Sequence, residues 1–275
     1  MRKIVSYIFL ILFISGCIPK QTKLENTIEI TDMLGRKVQV PNNPEKIIAV
    51  KAGALRLLTY LGMSDKICGV EEIEHRFSNP YNMAYPGYAK LPIIGPMHGG
   101  DAELITTQNP DIIFMTYATP TDADKLQKQT GIPVVALQYG DLGSKKQTFY
   151  KALQLVGKIL NVQQRANSLI EYTESCINDL KTRSKKSEES IYVGGISYRG
   201  MHGITSTDPD CEPFVFNNVH HPASKLKNTG KGVFIDKEQL IIWNPDKLFL
   251  DYAGWKQVKK DLKKPYFSKT LKAIQ

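Results

Sequence analysis

The sequence predicts an α/β fold: two three-layer α/β lobes with mainly parallel sheets, bridged by one long helix. Three observations carry this expectation. The stretch Gly99–Phe114 returns as Phe234–Phe249, aligning Asp101 with Asp236, Glu103 with Glu238, and Asn109-Pro110-Asp111 with Asn244-Pro245-Asp246 without a gap. Short apolar runs alternate with helical stretches, the order that builds parallel sheets covered by helices. From Lys145 to about Lys186 the chain reads as almost wholly helical, and Val162–Thr182 as one helix would span about 30 Å.

The first residues give an address. Arg2 and Lys3 precede a nearly unbroken apolar run from Ile4 to Ile14, closed by Ser15-Gly16-Cys17. That run is too short to span a bilayer as a helix and has the layout of a secretory signal. Ile14-Ser15-Gly16-Cys17 resembles a lipobox, which implies cleavage before Cys17 and lipid attachment to its thiol. Residues 1–16 are therefore expected to form a lipoprotein signal peptide, and residues 17–27 a tether. The mature protein is placed outside the cytoplasm, anchored to the cell membrane.

The length of 275 residues allows one large or two medium domains, and 42% hydrophobic with 23% charged residues is ordinary for a globular chain. The net charge of +9 comes from scattered Lys and Arg, with no nucleic-acid-binding signature, so a nucleic-acid partner is not expected. A basic surface suits anionic ligands or an anionic membrane. Besides Cys17 the chain has Cys68, Cys176 and Cys211, an odd number without a CxxC, so no structural zinc site follows. A disulfide among the three is open, with at least one buried free thiol.

Residues 28–160 are read as the first lobe. Alternating Ile28, Ile30 and Val38, Val40 flank a Gly-containing turn at Asp32–Arg36, the mark of a hairpin. Ile47–Val50 is a short strand, followed by a helix with Leu55, Leu58 and Leu61 on its apolar face and Gly62 at its end. Lys66–Val70 is the next strand. Residues 71–98 are irregular and rich in polar aromatics. The repeated unit follows: Asp101 is a helix N-cap with Glu103 in the first turn, Asn109-Pro110 stops the helix, and Ile112–Thr116 is a buried strand. A helix through Leu126, a turn at Gly131-Ile132-Pro133 and strand Val134–Leu137 come next.

Two apolar stripes then run through the helical stretch: Phe149, Leu153, Val156 and Leu160, and, beyond Asn161, Ala166, Leu169, Ile170, Thr173, Ile177 and Leu180. Residues 161–186 are read as the connecting helix and 187–275 as the second lobe. That lobe has strand Ile191–Ile196, an irregular segment Ser197–Thr207, the second copy of the repeat, strand Lys247–Asp251, and Gly254-Trp255 beyond its end.

Loops at strand ends of both lobes would line a cleft. The candidate ligand-binding residues are Lys51, Arg76, Tyr85, His98 and Tyr117 from the first lobe, with Tyr198, Arg199, His202 and Trp255 from the second. Arg and Lys can grip carboxylate or phosphate groups, Arg often through two hydrogen bonds, and the aromatics suit a bulky ligand. No nucleophile elbow, P-loop or dinucleotide fingerprint is present, which with the extracytoplasmic address favours binding over catalysis. His75, His98, His202, His220 and His221 could supply a metal, but no pair has the i, i+4 spacing of a helical zinc site. Two alternatives stay open: a secreted metal-dependent hydrolase using these histidines, and a surface module without a small ligand.

Ile30-Thr31-Asp32-Met33-Leu34-Gly35-Arg36-Lys37-Val38-Gln39-Val40-Pro41, continued by Pro44-Glu45-Lys46-Ile47-Ile48-Ala49, resembles the opening of the iron-siderophore and cobalamin substrate-binding proteins of ABC importers. Glu103 through Asn109-Pro110-Asp111, and Glu238 through Pro245, are similar to that family's internal motif. The resemblance covers residues 28–275. It implies two lobes with modest closure on a small-molecule metal chelate or corrinoid. It also implies a protein that acts as a monomer without a resident cofactor, the ligand itself carrying the metal. One surface glutamate per lobe, Glu103 and Glu238, is implied to dock on the ABC permease. Family members usually continue with further helices, so the second lobe is expected to be small or cut short at Gln275.

Overall fold

A computed structural model describes residues 26–76, 79–185, 187–198, 200–227 and 232–274. The signal peptide, Cys17 and nearly all of the tether lie outside the described residues, as does Arg199.

The first lobe is built on a four-stranded parallel sheet in the order β4-β3-β5-β6, from β3 (Ile47–Val50), β4 (Ile67–Gly69), β5 (Ile112–Met115) and β6 (Val134–Ala136). Strands buried on both faces read as continuous apolar runs, and alternate residues leave on opposite sides. Ile47, Ala49, Ile112, Phe114 and Val135 point toward α1 (Ala54–Tyr60) and α5 (Lys146–Ile159), packing on Leu57, Leu58, Leu153 and Val156. Ile48, Val50, Ile113, Met115 and Val134 point the other way, toward Ile105 of α3 (Ala102–Thr107) and Ala123 and Leu126 of α4 (Pro120–Thr130). Helix, sheet and helix form three layers. The short α2 (Pro80–Ala84) lies between two 3-10 turns in the irregular segment 71–98.

The N-terminal hairpin pairs β1 (Thr27–Thr31) antiparallel with β2 (Lys37–Pro41), and its tip covers the free edge of β6. Met33 N–H donates to Ala136 O at 3.1 Å, and Ala136 N–H donates to Asp32 Oδ2 at 3.1 Å. Arg36 locks this junction, donating to Asp32 Oδ2 at 2.8 Å, Val134 O at 3.0 Å and Asp124 Oδ1 at 2.8 Å. An edge strand offers unpaired backbone groups, and the hairpin takes them up.

Helix α6 (Gln163–Arg183) packs on α5 of the first lobe and on α7 (Glu212–Phe216) of the second. Ala166 and Ile177 are its buried residues, with Leu169 and Ile170 partly buried against the first core.

The second lobe pairs β7 (Ile191–Gly194) parallel with β10 (Lys247–Leu250), and β8 (Ser206–Thr207) antiparallel with β9 (Val233–Phe234). Its core joins Tyr192, Ile204, Leu240 of α8 (Lys237–Trp243), Val258 of α9 (Trp255–Leu262), Phe267 of α10 (Pro265–Ser268) and Leu271. Gly203 has no room for a Cβ, which would collide with the Asp261 carboxylate. That carboxylate is buried and accepts from Ile204 N–H at 3.0 Å and Lys264 Nζ at 2.8 Å.

The repeat is a structural repeat. In both copies the asparagine before proline sits in the left-handed region, Asn109 at φ 49° and Asn244 at φ 39°. Proline drives its predecessor out of the right-handed helix, and asparagine tolerates the left-handed well. The aspartate that follows then clips the strand beside it. Asp111 Oδ2 accepts from Glu45 and Lys46 N–H at 2.8 Å, just ahead of β3. Asp246 Oδ2 accepts from Ser190 N–H at 2.7 Å, just ahead of β7. Registers follow: Ile47 faces Ile112, and Ile191 faces Lys247. The copies differ at the helix start, where Asp101 accepts from Glu103 and Leu104 N–H and Asp236 makes no side-chain cap.

Cys68, Cys176 and Cys211 are free thiols, and burial pushes Cys211 up to about 11. Among the described residues no helix is long and apolar enough to cross a membrane.

Candidate functional site

Carboxyl ends of parallel strands are where α/β sheets present loops to a ligand. At the end of β3 stand Lys51, Ala52 and Gly53; at the end of β4, Glu71; at the end of β5, Thr116 and Tyr117; beyond β6, Tyr139. Lys51 at φ 69°, His98 at φ 69° and Tyr117 at φ 46° are all held in the left-handed region, which non-glycine residues seldom occupy. Lys51 Nζ donates to Tyr117 O at 3.2 Å, so one strained residue braces another.

Glu71 is 4% exposed, and its carboxylate accepts three backbone N–H groups: Lys51 and Gly99 on Oε1, both at 3.0 Å, and His98 on Oε2 at 3.3 Å. Burial pushes its carboxyl above the ordinary range, and the three N–H groups oppose that shift. Nearby, the half-buried Tyr81 hydroxyl donates to Glu74 at 2.9 Å, and burial with that carboxylate raises the phenol.

Tyr139 is the hub. It lines three adjoining cavities, of about 610, 470 and 230 Å³. Gly53, at φ 85°, makes room for its ring; a Cβ there would collide with it. The Arg56 guanidinium from α1 lies over the ring at 4.3 Å, and Tyr117 stands 6.5 Å away between centroids. Arg56 Nε and the Tyr139 hydroxyl are both buried and find no hydrogen-bond partner among the described residues. Buried donors without acceptors are costly in a finished core and serviceable in a binding site.

Both lobes contribute walls. The largest cavity reaches Ile196, Asp208 and Gly232, and the next is bounded by Leu169, Tyr172 and Thr173 of α6 and Glu212 of α7. Burial, with Asp208 and Asp141 close by, raises the Glu212 carboxyl. Among the described residues no three His, Cys, Asp or Glu side chains are grouped to hold a metal ion.

Of the residues singled out from sequence, Lys51, His98 and Tyr117 are brought together here, His98 and Tyr117 lining the smallest cavity. Arg76 and Tyr85 are not among the lining residues. Arg76 is exposed and paired with Glu72 at 2.6 Å, one helical turn away, while Tyr85 stacks on Tyr88 at 5.9 Å. Tyr198, His202 and Trp255 stand beyond the ends of β7 and β10 without lining these cavities. His202 Nε2 is 2.7 Å from Tyr198 O, its ring set edge-on to Phe234. Glu103 and Glu238 are both exposed in the first turns of α3 and α8.

Arg56, Tyr139 and Glu71 escape a reading of sequence for different reasons. Arg56 interrupts a leucine stripe and passes for a helix surface charge. Glu71 looks like a solvated loop acid. Tyr139 stands just past a strand, the same signal that marks Tyr117.

An α/β two-lobed frame with a cleft at the strand ends is the architecture of a binding protein. The chain belongs to the periplasmic binding protein family, whose model matches residues 47–275. An uncharacterized ABC transporter substrate-binding lipoprotein, YvrC of Bacillus subtilis, is 23% identical over 239 residues, 84% of this chain. The chain spans 64% of that relative's length. Among solved structures, the petrobactin-binding protein YclQ of B. subtilis superposes with a TM-score of 0.68 at 18% identity, covering 91% of this chain and 87% of that one. MolA of Haemophilus influenzae, bound to molybdate, gives 0.62 at 17% identity, with 90% and 80% covered.

Proposed function

We propose that this chain is the extracytoplasmic solute-binding component of an ABC importer, held to the membrane through lipidated Cys17, and that its cargo is an oxygen-rich metal chelate of the siderophore class. The observation that carries the reading is the pair of buried, unpartnered donors, Arg56 Nε and the Tyr139 hydroxyl, beside the cleft cavities: Tyr139 lines all three and Arg56 the two smaller ones. Such donors call for acceptor oxygens. Carboxylate, catecholate and hydroxamate groups supply them, and the rings of Tyr117, Tyr139 and Tyr60 suit the flat organic arms of a chelator. The similar structures include one named for petrobactin binding and one bound to molybdate.

Size separates the two cargo types. A cavity of about 610 Å³ lies in the range for an organic ligand of drug size. A bare tetrahedral oxyanion would leave most of it to water.

Native mass spectrometry and thermal unfolding of the full chain in detergent, against ferric catecholates, ferric hydroxamates, ferric citrate, haem, cobalamin and molybdate, test this. One ferric chelate is expected to form a one-to-one complex. At one hundred times its dissociation constant it adds about 2.7 kcal/mol to stability. Arg56→Ala is expected to weaken that complex about tenfold or more, the loss of one charged hydrogen bond. A cooperatively folded chain that binds no member, or binds molybdate alone, overturns the siderophore reading.

A further inference from the structure

We infer that Glu71 is the positioning residue of the first lobe's half of the cleft: its buried carboxylate holds the Lys51 and His98–Gly99 loops in their left-handed geometry, so that the cavity floor is shaped before cargo arrives. The inference rests on the reading above that this cleft is where cargo binds.

Three observations meet at this residue. The carboxylate is 4% exposed, and no cation is bonded to it among the described residues; its partners are backbone N–H groups. Those N–H groups come from two segments far apart in the chain, Lys51 after β3 and His98-Gly99 ahead of α3. Two of the three donors, Lys51 and His98, have backbones in the left-handed region. A strained backbone persists only where its surroundings over-determine it, and such strain gathers at ligand clamps. An acceptor-only group with two oxygens is suited to gather three N–H donors at once. The hold extends one step further, because Lys51 Nζ donates to the carbonyl of Tyr117, itself left-handed. Glu71 also lines the 230 Å³ cavity with His98 and Tyr117, so the carboxylate lies under the surface that it shapes.

Glu71→Gln keeps the size and one acceptor oxygen but turns an N–H₂ toward a backbone donor. The test is amide hydrogen exchange of the full chain in detergent, residue by residue, with affinity for a ferric tris-catecholate measured alongside. In the wild type the Lys51, His98 and Gly99 amides are expected to exchange as slowly as those of β3, although they lie in irregular segments. In the Gln variant they are expected to lose at least tenfold in protection while β3 and β5 keep theirs, and affinity is expected to fall at least tenfold. Unchanged protection of the three amides overturns the inference, and so does unchanged affinity once protection is lost. If the wild-type chain binds no tris-catecholate, the cargo reading falls, and exchange alone judges Glu71: selective loss upholds its hold on the loops, retention overturns it. Should the Gln variant fail to fold, wild-type exchange still decides, because fast exchange at the three amides overturns the inference.

Discussion

His221 is one of five histidines that sequence offers as a metal donor, and burial gives it another role. Its Nδ1 lies 3.0 Å from Ile191 O, and its ring packs against Tyr192 and Phe214. Burial pushes its pKa below the ordinary value, although the nearby backbone and Asp208 oppose this. The unfolded chain therefore takes up the proton first as pH falls. Stability from neutral His221 is complete above about pH 6.5 and is lost as pH drops from there toward the lower folded value. Urea midpoints are expected to fall between pH 7.5 and pH 5, and His221→Gln to flatten that slope. An unaltered slope would remove His221 from the account. The same scale shows what sequence can disclose about a site. Lys51, His98 and Tyr117 were legible because they stand in loops at or near strand ends. Arg56 and Glu71 were not, since a guanidinium stacked on a ring and a carboxylate buried on backbone N–H groups depend on partners brought in by tertiary structure.

At the scale of elements, the two copies of the repeat make a built-in comparison. Asp101 caps α3 with bonds of 2.9 Å to the N–H groups of Glu103 and Leu104, whereas Asp236 precedes α8 without a side-chain cap. Asp101→Ala is expected to cost about 1 kcal/mol in chemical denaturation, and Asp236→Ala a few tenths at most. Equal losses would show that the two starts are equivalent in solution. Sequence marked both helices, both Asn-Pro stops and both following strands, because proline and asparagine act locally. It could not distinguish the caps, which differ only in how each chain enters its helix. The strand order β4-β3-β5-β6 and the docking of the hairpin tip on β6 were also beyond it, since Arg36 meets Asp124 and Val134 across long sequence separations.

At the scale of the molecule, two lobes joined through α6 present Glu103 and Glu238 on exposed first turns. Negative charge there is favoured by the helix dipole, and among the described residues Glu238 has only a loose contact with Lys237 at 3.7 Å. We propose these two glutamates as the contacts with the permease of the proposed importer. Glu103→Lys with Glu238→Lys is expected to abolish uptake by cells while leaving chelate affinity within about twofold, since neither side chain lines a cleft cavity. A matching fall in affinity would place the glutamates in binding rather than docking. The two-lobed plan and a cleft between the lobes were legible from sequence because the repeat printed the plan twice; which second-lobe residues line the cleft was not, because Ile196, Asp208, Gly232 and Glu212 reach it only through tertiary packing.

The Asn-Pro-Asp clip has a consequence for recognition. Each clip ties the turn after its helix to the start of the neighbouring strand, and each glutamate stands the same number of residues ahead of its clip. The molecule thus offers one acidic signature in duplicate, on two independently cored bodies. A receptor assembled from two copies of a single chain would meet matching chemistry at both of its faces, so each contact can be individually weak and the pair still selective, because only a ligand bearing both marks at the right separation engages both.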